Sequence, residues 1–159
     1  MQLRLGLALC GAALFAAAGF YSARRMRKRL EGVEAVGEAI RFLRTEISAF
    51  DTALPEALRR LRGENRLLAL SFELGGGADE AALQRAGRAL GLKRGDLAPL
   101  SALLRAIPHG ARGETRHFDA ALQDLEAIRL KAAETSSRDG PLHQKLGLLV
   151  GAAAFILLL

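Results

Sequence analysis

The chain has 159 residues, 50% hydrophobic and 25% charged, with seven Phe, one Tyr, no Trp, one Cys and a formal net charge of +6. A chain of this size buries at most one modest domain, and a lone cysteine excludes a disulfide framework or a Cys-based metal site. All seventeen acids and seventeen of the 23 bases lie between residues 30 and 145, so the basic excess is confined to Arg4 and a cluster at 24–29 and does not make the broad cationic face of a nucleic-acid binder.

Leu5 to Ala23 contains no charge, and a helix of that length is about 28 Å long, close to a bilayer's hydrocarbon core. Ala16-Ala17-Ala18 resembles a small-residue processing site, but a signal peptide carries its positive charge before the apolar run. Here Arg24, Arg25, Arg27, Lys28 and Arg29 follow it. The segment therefore reads as an uncleaved anchor, with Cys10 packing inside it and the basic cluster at the membrane surface against lipid headgroups. Because Lys and Arg stay on the cytoplasmic side, the N-terminus is expected outside.

From the cluster onward Leu30, Val33, Val36 or Gly37, Ile40, Leu43, Ile47 and Phe50 recur at three- and four-residue steps, the stripe of an amphipathic helix continuing from the membrane. Asp51-Thr52 interrupts it, and Leu54-Pro55-Glu56 starts a short helix with Pro suited to the first turn. Leu67 to Leu74 predicts a nearly fully buried helix closed by Gly75-Gly76-Gly77, which ends it and leaves a flexible joint. Asp79 to Leu90 reads as a helix capped by Gly91, and Asp96 opens another that carries Leu97, Leu100, Leu103, Leu104 and Ile107 up to Pro108-His109-Gly110.

The last helix of the middle region is expected from about Glu114 to Thr135, with Phe118, Ala121, Leu122, Leu125, Ile128 and Ala132 on one face. Ser136 to Pro141 reads as a polar turn into a second apolar run, Leu146–Leu159. That run is only about 21 Å of helix. Arg138, His143 and Lys145 precede it and no side-chain charge follows, so the C-terminus is also expected outside. The fold class is thus all-α, a bundle of about six helices between two terminal transmembrane helices: an anchor over 1–23, a cytoplasmic helical domain over 24–141 and a second anchor over 142–159.

His109, His117 and His143 have no second ligand at a metal-binding spacing. There is no Gly-x-Ser-x-Gly elbow, and Gly75-Gly76-Gly77 lacks the Lys-Ser or Lys-Thr of a phosphate loop. No catalytic, cofactor or metal site is expected, and an enzyme is disfavoured. Gly147-Leu-Leu-Val-Gly151 is a GxxxG that lets a second helix approach, and Ala8, Ala12, Ala16 and Gly19 offer it a face. Pairing of the membrane helices through Gly147 and Gly151 is one reading; ordinary small-residue content of an Ala-rich segment is the other.

Gly19-Phe-Tyr-Ser-Ala-Arg-Arg-Met-Arg-Lys-Arg-Leu30, Leu43-Arg-Thr-Glu-Ile47, Leu54-Pro-Glu-Ala-Leu58 and Leu142-His-Gln-Lys-Leu-Gly-Leu-Leu-Val-Gly151 together resemble the stage III sporulation protein AB family. The resemblance implies a component of the channel complex between mother cell and forespore in endospore formers, placed in the mother-cell membrane around the forespore. It further implies a cytoplasmic domain similar to that of the type II secretion inner-membrane protein F, other stage III sporulation channel proteins as partners, and docking of the secretion-type ATPase, stage III sporulation protein AA. A passive membrane scaffold without ATPase contact is the alternative.

A helix from Met26 to Phe50 is about 37 Å long, which carries the following turn away from the lipid. Thr45, Glu46, Asp51, Thr52, Pro55 and Glu56, where the resemblance is most specific, are therefore the expected partner-binding residues. The competing reading is that Asp51, Thr52 and Pro55 only cap and start a helix.

Overall fold

The computed structural model describes the backbone of residues 2–107 and 115–158, and within it the side chains of 9–11, 13–107 and 116–156. The described backbone holds six α-helices and no strand: α1 (Gln2–Ser48), α2 (Leu54–Glu64), α3 (Arg66–Gly75), α4 (Glu80–Ala89), α5 (Ala98–Ala106) and α6 (Thr115–Leu158), with a 3₁₀ turn at Arg94–Leu97 before α5. The expected Pro108-His109-Gly110 turn and a helix start at Glu114 lie outside the described residues, as do the side chains of Ala8 and Ala12. Among the described residues no helix is long and apolar enough to cross a membrane.

The chain divides into two compact units, Lys28–Ala132 and the pair Met1–Arg27 with Ala133–Leu159. The first has one hydrophobic core. Val33, Val36, Ile40 and Leu43 of α1 are 0% exposed, and they meet Ala57 and Leu61 of α2, Leu67 and Leu68 of α3, Leu83 and Ala86 of α4, Leu100 and Leu103 of α5, and Phe118 and Leu125 of α6. The apolar periodicity of α1 and α6 thus marks the buried faces. It fails at Phe50, 67% exposed, and the helix expected to be nearly fully buried over Leu67–Leu74 is buried only at Leu67, Leu68 and Ser71, with Leu74 46% exposed. Phe50 follows the last buried residue of α1, Ile47, and Leu74 that of α3, Ser71.

Two chain reversals in this unit have clear local causes. Asn65 ends α2 by giving its N–H to Leu61 O and starts α3 by accepting from the N–H groups of Leu67 and Leu68, at 3.0 and 3.3 Å. Its side-chain amide also donates to Ala35 O of α1 at 2.8 Å, so a residue 3% exposed is fully partnered. At the end of α4, Gly91 takes φ +79, while the Leu92 N–H bonds Gly87 O and the Gly91 N–H bonds Arg88 O. This is the Schellman arrangement, which needs a residue free to adopt a left-handed backbone. It turns Leu92 inward, and a Cβ on Gly32 would stand 2.9 Å from the Leu92 side chain.

Gly76 ends α3 at φ +75, with its N–H bonded to Phe72 O. The first of the three glycines serves packing: a Cβ on Gly75 would collide with Ala82 at the start of α4. Asp96 does not cap α5, whose first turn is instead set by Pro99 after the 3₁₀ turn.

In the second unit the expected Ser136–Pro141 turn is replaced by continuous helix, with Pro141 inside α6. An interior proline removes one N–H and crowds the carbonyl four residues earlier, at a cost of about 3 kcal/mol. That cost is local. The helix is held on both sides of it, since Ala132 is buried before the proline and Gly151 after it.

Candidate functional site

The α1–α2 turn is built around Glu46. Its backbone oxygen accepts from the Thr52 N–H at 3.0 Å, and its carboxylate accepts from Thr52 Oγ1 and from the Arg60 guanidinium, both at 3.0 Å. The Glu46 side chain is 12% exposed. Between these anchors the chain reverses at Asp51, the sole described non-glycine residue at positive φ, 50°. Ala53 is the N-cap residue of α2, without a side-chain cap bond, and Pro55 stands in the first turn. Glu56 pairs with Arg59 at 3.2 Å and Arg60 at 3.5 Å, and Thr45 Oγ1 donates to Arg41 O at 3.1 Å.

The structure therefore gathers the six predicted residues at one turn and gives them two kinds of task. Glu46 and Thr52 hold the reversal together. Thr45, Asp51 and Pro55 are exposed on it, beside Phe50, which the apolar periodicity assigned to the core. The signal that distinguishes Phe50 is its position after Ser48, where α1 has already ended.

The basic cluster is also divided. Arg24, Arg25, Arg27 and Lys28 are exposed, whereas the Arg29 guanidinium grips the Asp96 carboxylate through Nε at 2.8 Å and Nη2 at 2.7 Å. The two side chains are 17% and 4% exposed. Asp96 accepts a further bond from the Lys93 N–H at 2.8 Å. Burial by itself would raise the Asp96 carboxyl, but the Arg29 bonds and the Lys93 N–H outweigh it and hold the group below its ordinary value. The Asp96 hydrogen bonds in turn raise Arg29. This fork-on-fork pair, 67 residues apart in sequence, ties the 3₁₀ turn to α1 and engages the Nε and Nη2 edge of Arg29 with a protein carboxylate.

In the other unit the two ends of the chain pack backbone to backbone. A Cβ on Gly19 would meet His143 O at 2.7 Å and Gly147 Cα at 3.2 Å, and a Cβ on Gly147 would meet Phe15 O at 2.9 Å and Gly19 Cα at 3.1 Å. Gly151 is buried as well. The partner of the Gly147 face is thus α1 of the same chain. Leu14, Phe15, Phe20, Tyr21, Leu148, Leu149 and Ile156 point away from this contact, between 47% and 74% exposed.

Among the described residues no group of three or more His, Cys, Asp or Glu is placed to hold a metal ion. His143 Nδ1 lies 2.7 Å from Asp139 O, His117 is exposed, and His109 lies outside the described residues. Sequence reasoning missed Asn65 and the Arg29–Asp96 pair. The first had a legible signal, an Asn directly before an apolar helical run; the second had none, because nothing local links residues 29 and 96.

The family model described as stage III sporulation protein AB matches residues 4–73. That stretch contains the first apolar run, the basic cluster, the Glu46 turn and α2, and ends within α3. The resemblance read at Leu142–Gly151 lies beyond it. No curated protein and no solved structure matches the chain.

Proposed function

We propose, on the premise that the chain belongs over residues 4–73 to the stage III sporulation protein AB family, that it is a non-enzymatic membrane component of the channel complex between mother cell and forespore. A role in sporulation follows from the family. The finer reading is that residues 5–23 and 146–158 cross the mother-cell membrane side by side and that the Lys28–Ala132 unit is a cytoplasmic platform for the secretion-type ATPase, stage III sporulation protein AA. The family match carries this reading.

Two features support it. The apolar runs at the two ends pack through Gly19 and Gly147, with large apolar side chains directed outward, the pattern of a helix pair in lipid. The α1–α2 turn presents Thr45, Phe50, Asp51 and Pro55 on a frame fixed by Glu46, Thr52 and Arg60. A partner that pushes on such a turn loads α1 directly, because the stripe from Val33 to Ile47 is buried along its length and close-packed cores transmit strain. The domain then acts by passing movement on, and no bond is made or broken in it.

Titration of the detergent-solubilised full chain with the purified ATPase tests the proposal. Saturable binding that is weakened by Phe50→Ala, in a chain that melts normally, is the expected result. Absence of binding would leave a passive scaffold and remove the coupling role.

A further inference from the structure

Four cations from three stretches of chain converge in the Lys28–Ala132 unit. Lys28 of α1 and Arg66 at the start of α3 line one cavity of about 90 Å³, whose wall also includes Ala89 and Leu90 at the end of α4. A side chain on Gly91 would come within 3.9 Å of Lys28 Cβ, so the chain leaving α4 passes beside Lys28. Two residues later the Lys93 N–H bonds the carboxylate that Arg29 holds, which fixes Lys93 and Arg94 next to the Lys28–Arg29 segment. Lys28, Arg66, Lys93 and Arg94 are all exposed.

These charges are cancelled only in part. Arg29 and Asp96 neutralise each other, Glu31 is the acid on the cavity wall, and among the described residues none of the four cations stands in an ion pair. Lys28 also comes five residues after Ala23, where the first apolar run ends. The attraction of an anionic leaflet fades within a Debye length of about 8 Å, so position near the end of a span decides which cations feel it.

We infer that Lys28, Arg66, Lys93 and Arg94 form a docking surface for anionic phospholipid headgroups, assembled only when the segment from Gly91 to Leu97 folds onto α1. The linear basic run is thereby extended by residues distant in sequence, and the Arg29–Asp96 pair is the clasp that positions them. The inference rests on the proposal that residues 5–23 span the membrane.

The test uses the full chain with Cys10→Ser and Gly95→Cys, the latter because a Cβ at Gly95 meets nothing within 4 Å, labelled at residue 95 with a fluorophore. The chain is placed in nanodiscs of phosphatidylcholine alone or mixed with phosphatidylglycerol, each containing a headgroup-attached quencher. Quenching about twofold stronger in the anionic discs and abolished by high salt is expected. Lys93→Gln with Arg94→Gln should return it to the neutral level in a chain that still melts cooperatively, and Arg66→Gln with Arg94→Gln, which spares the residue beside Asp96, serves if the first pair unfolds the chain.

Equal quenching in both discs would overturn the docking surface while leaving the membrane span intact. Failure of the chain to co-elute with either disc would overturn the span and the inference with it. Inorganic phosphate that changes the label's signal in neutral discs as much as phosphatidylglycerol does would assign a free-anion site and overturn the lipid assignment.

Discussion

At the scale of single residues, two polar side chains carry more structure than their neighbours. Removing Asp96 would leave Arg29 partly buried without its partner, a loss of about 3 kcal/mol by comparison with other broken buried pairs. Asp96→Ala should therefore lower the stability of the solubilised chain by that order in chemical denaturation at neutral pH. Because the folded carboxyl lies below its ordinary value, its contribution is complete above the usual carboxylate range and is lost as pH falls through the folded value. The gap between the parent chain and Asp96→Asn should stay constant from pH 8 to about 5 and close in stronger acid. Glu46 is the second case. Charge reversal there breaks the bonds from Thr52 and Arg60 in a site 12% exposed, so Glu46→Lys should cost about 1–2 kcal/mol in thermal melting. Glu56→Lys, half-exposed but in the first turn of α2 and paired with Arg59 and Arg60, should cost about 0.5–1 kcal/mol. Glu46 is thus unsuitable as a neutral probe of partner binding, and the exposed Phe50 takes its place.

At the scale of elements, period and packing agree where a helix has neighbours on one side for its whole length. Leu43→Ala should destabilise the chain by about 2–5 kcal/mol, since Leu43 is 0% exposed, whereas Phe50→Ala should change stability by no more than about 0.5 kcal/mol. Equal effects of the two in the same denaturation experiment would mean that Phe50 is covered. The helical stripes of α1 and α6, the starts at Leu54-Pro55 and the stop at Gly91 were all legible, because each depends on residues within a turn or two of one another. The continuity of α6 through Pro141 was not. A proline with Ser136, Ser137 and Gly140 before it reads locally as a break, and only packing on both sides of it decides otherwise. The pairing of Gly19 with Gly147 was legible as a motif with a free choice of partner. Gly147→Val should clash with the backbone at Phe15 and Gly19, lowering the melting temperature and separating pyrene labels placed at residues 18 and 148, while Gly11→Ala, with open space around its Cβ, should do neither.

For the whole molecule, the arrangement in the membrane proposed above fixes the side on which each part lies. Reporter fusions at Leu159 and insertions at Gly76 should behave oppositely, with an export-dependent enzyme active at the first position and silent at the second. A cytoplasmic C-terminus would turn the last apolar run into an interfacial helix. The core has a further consequence, in time rather than space. Its first contributor is Val33 and its last Ala132, with Leu125 of α6 seated on Gly37 of α1. At ribosomal rates of about 5–20 residues per second, the α1 stripe waits roughly 5–20 s for α6 to be synthesised. During that interval the stripe of Val33, Ile40 and Leu43 has no α6 to cover it, so the nascent chain depends on α2 to α5 covering part of it before the closing helix arrives.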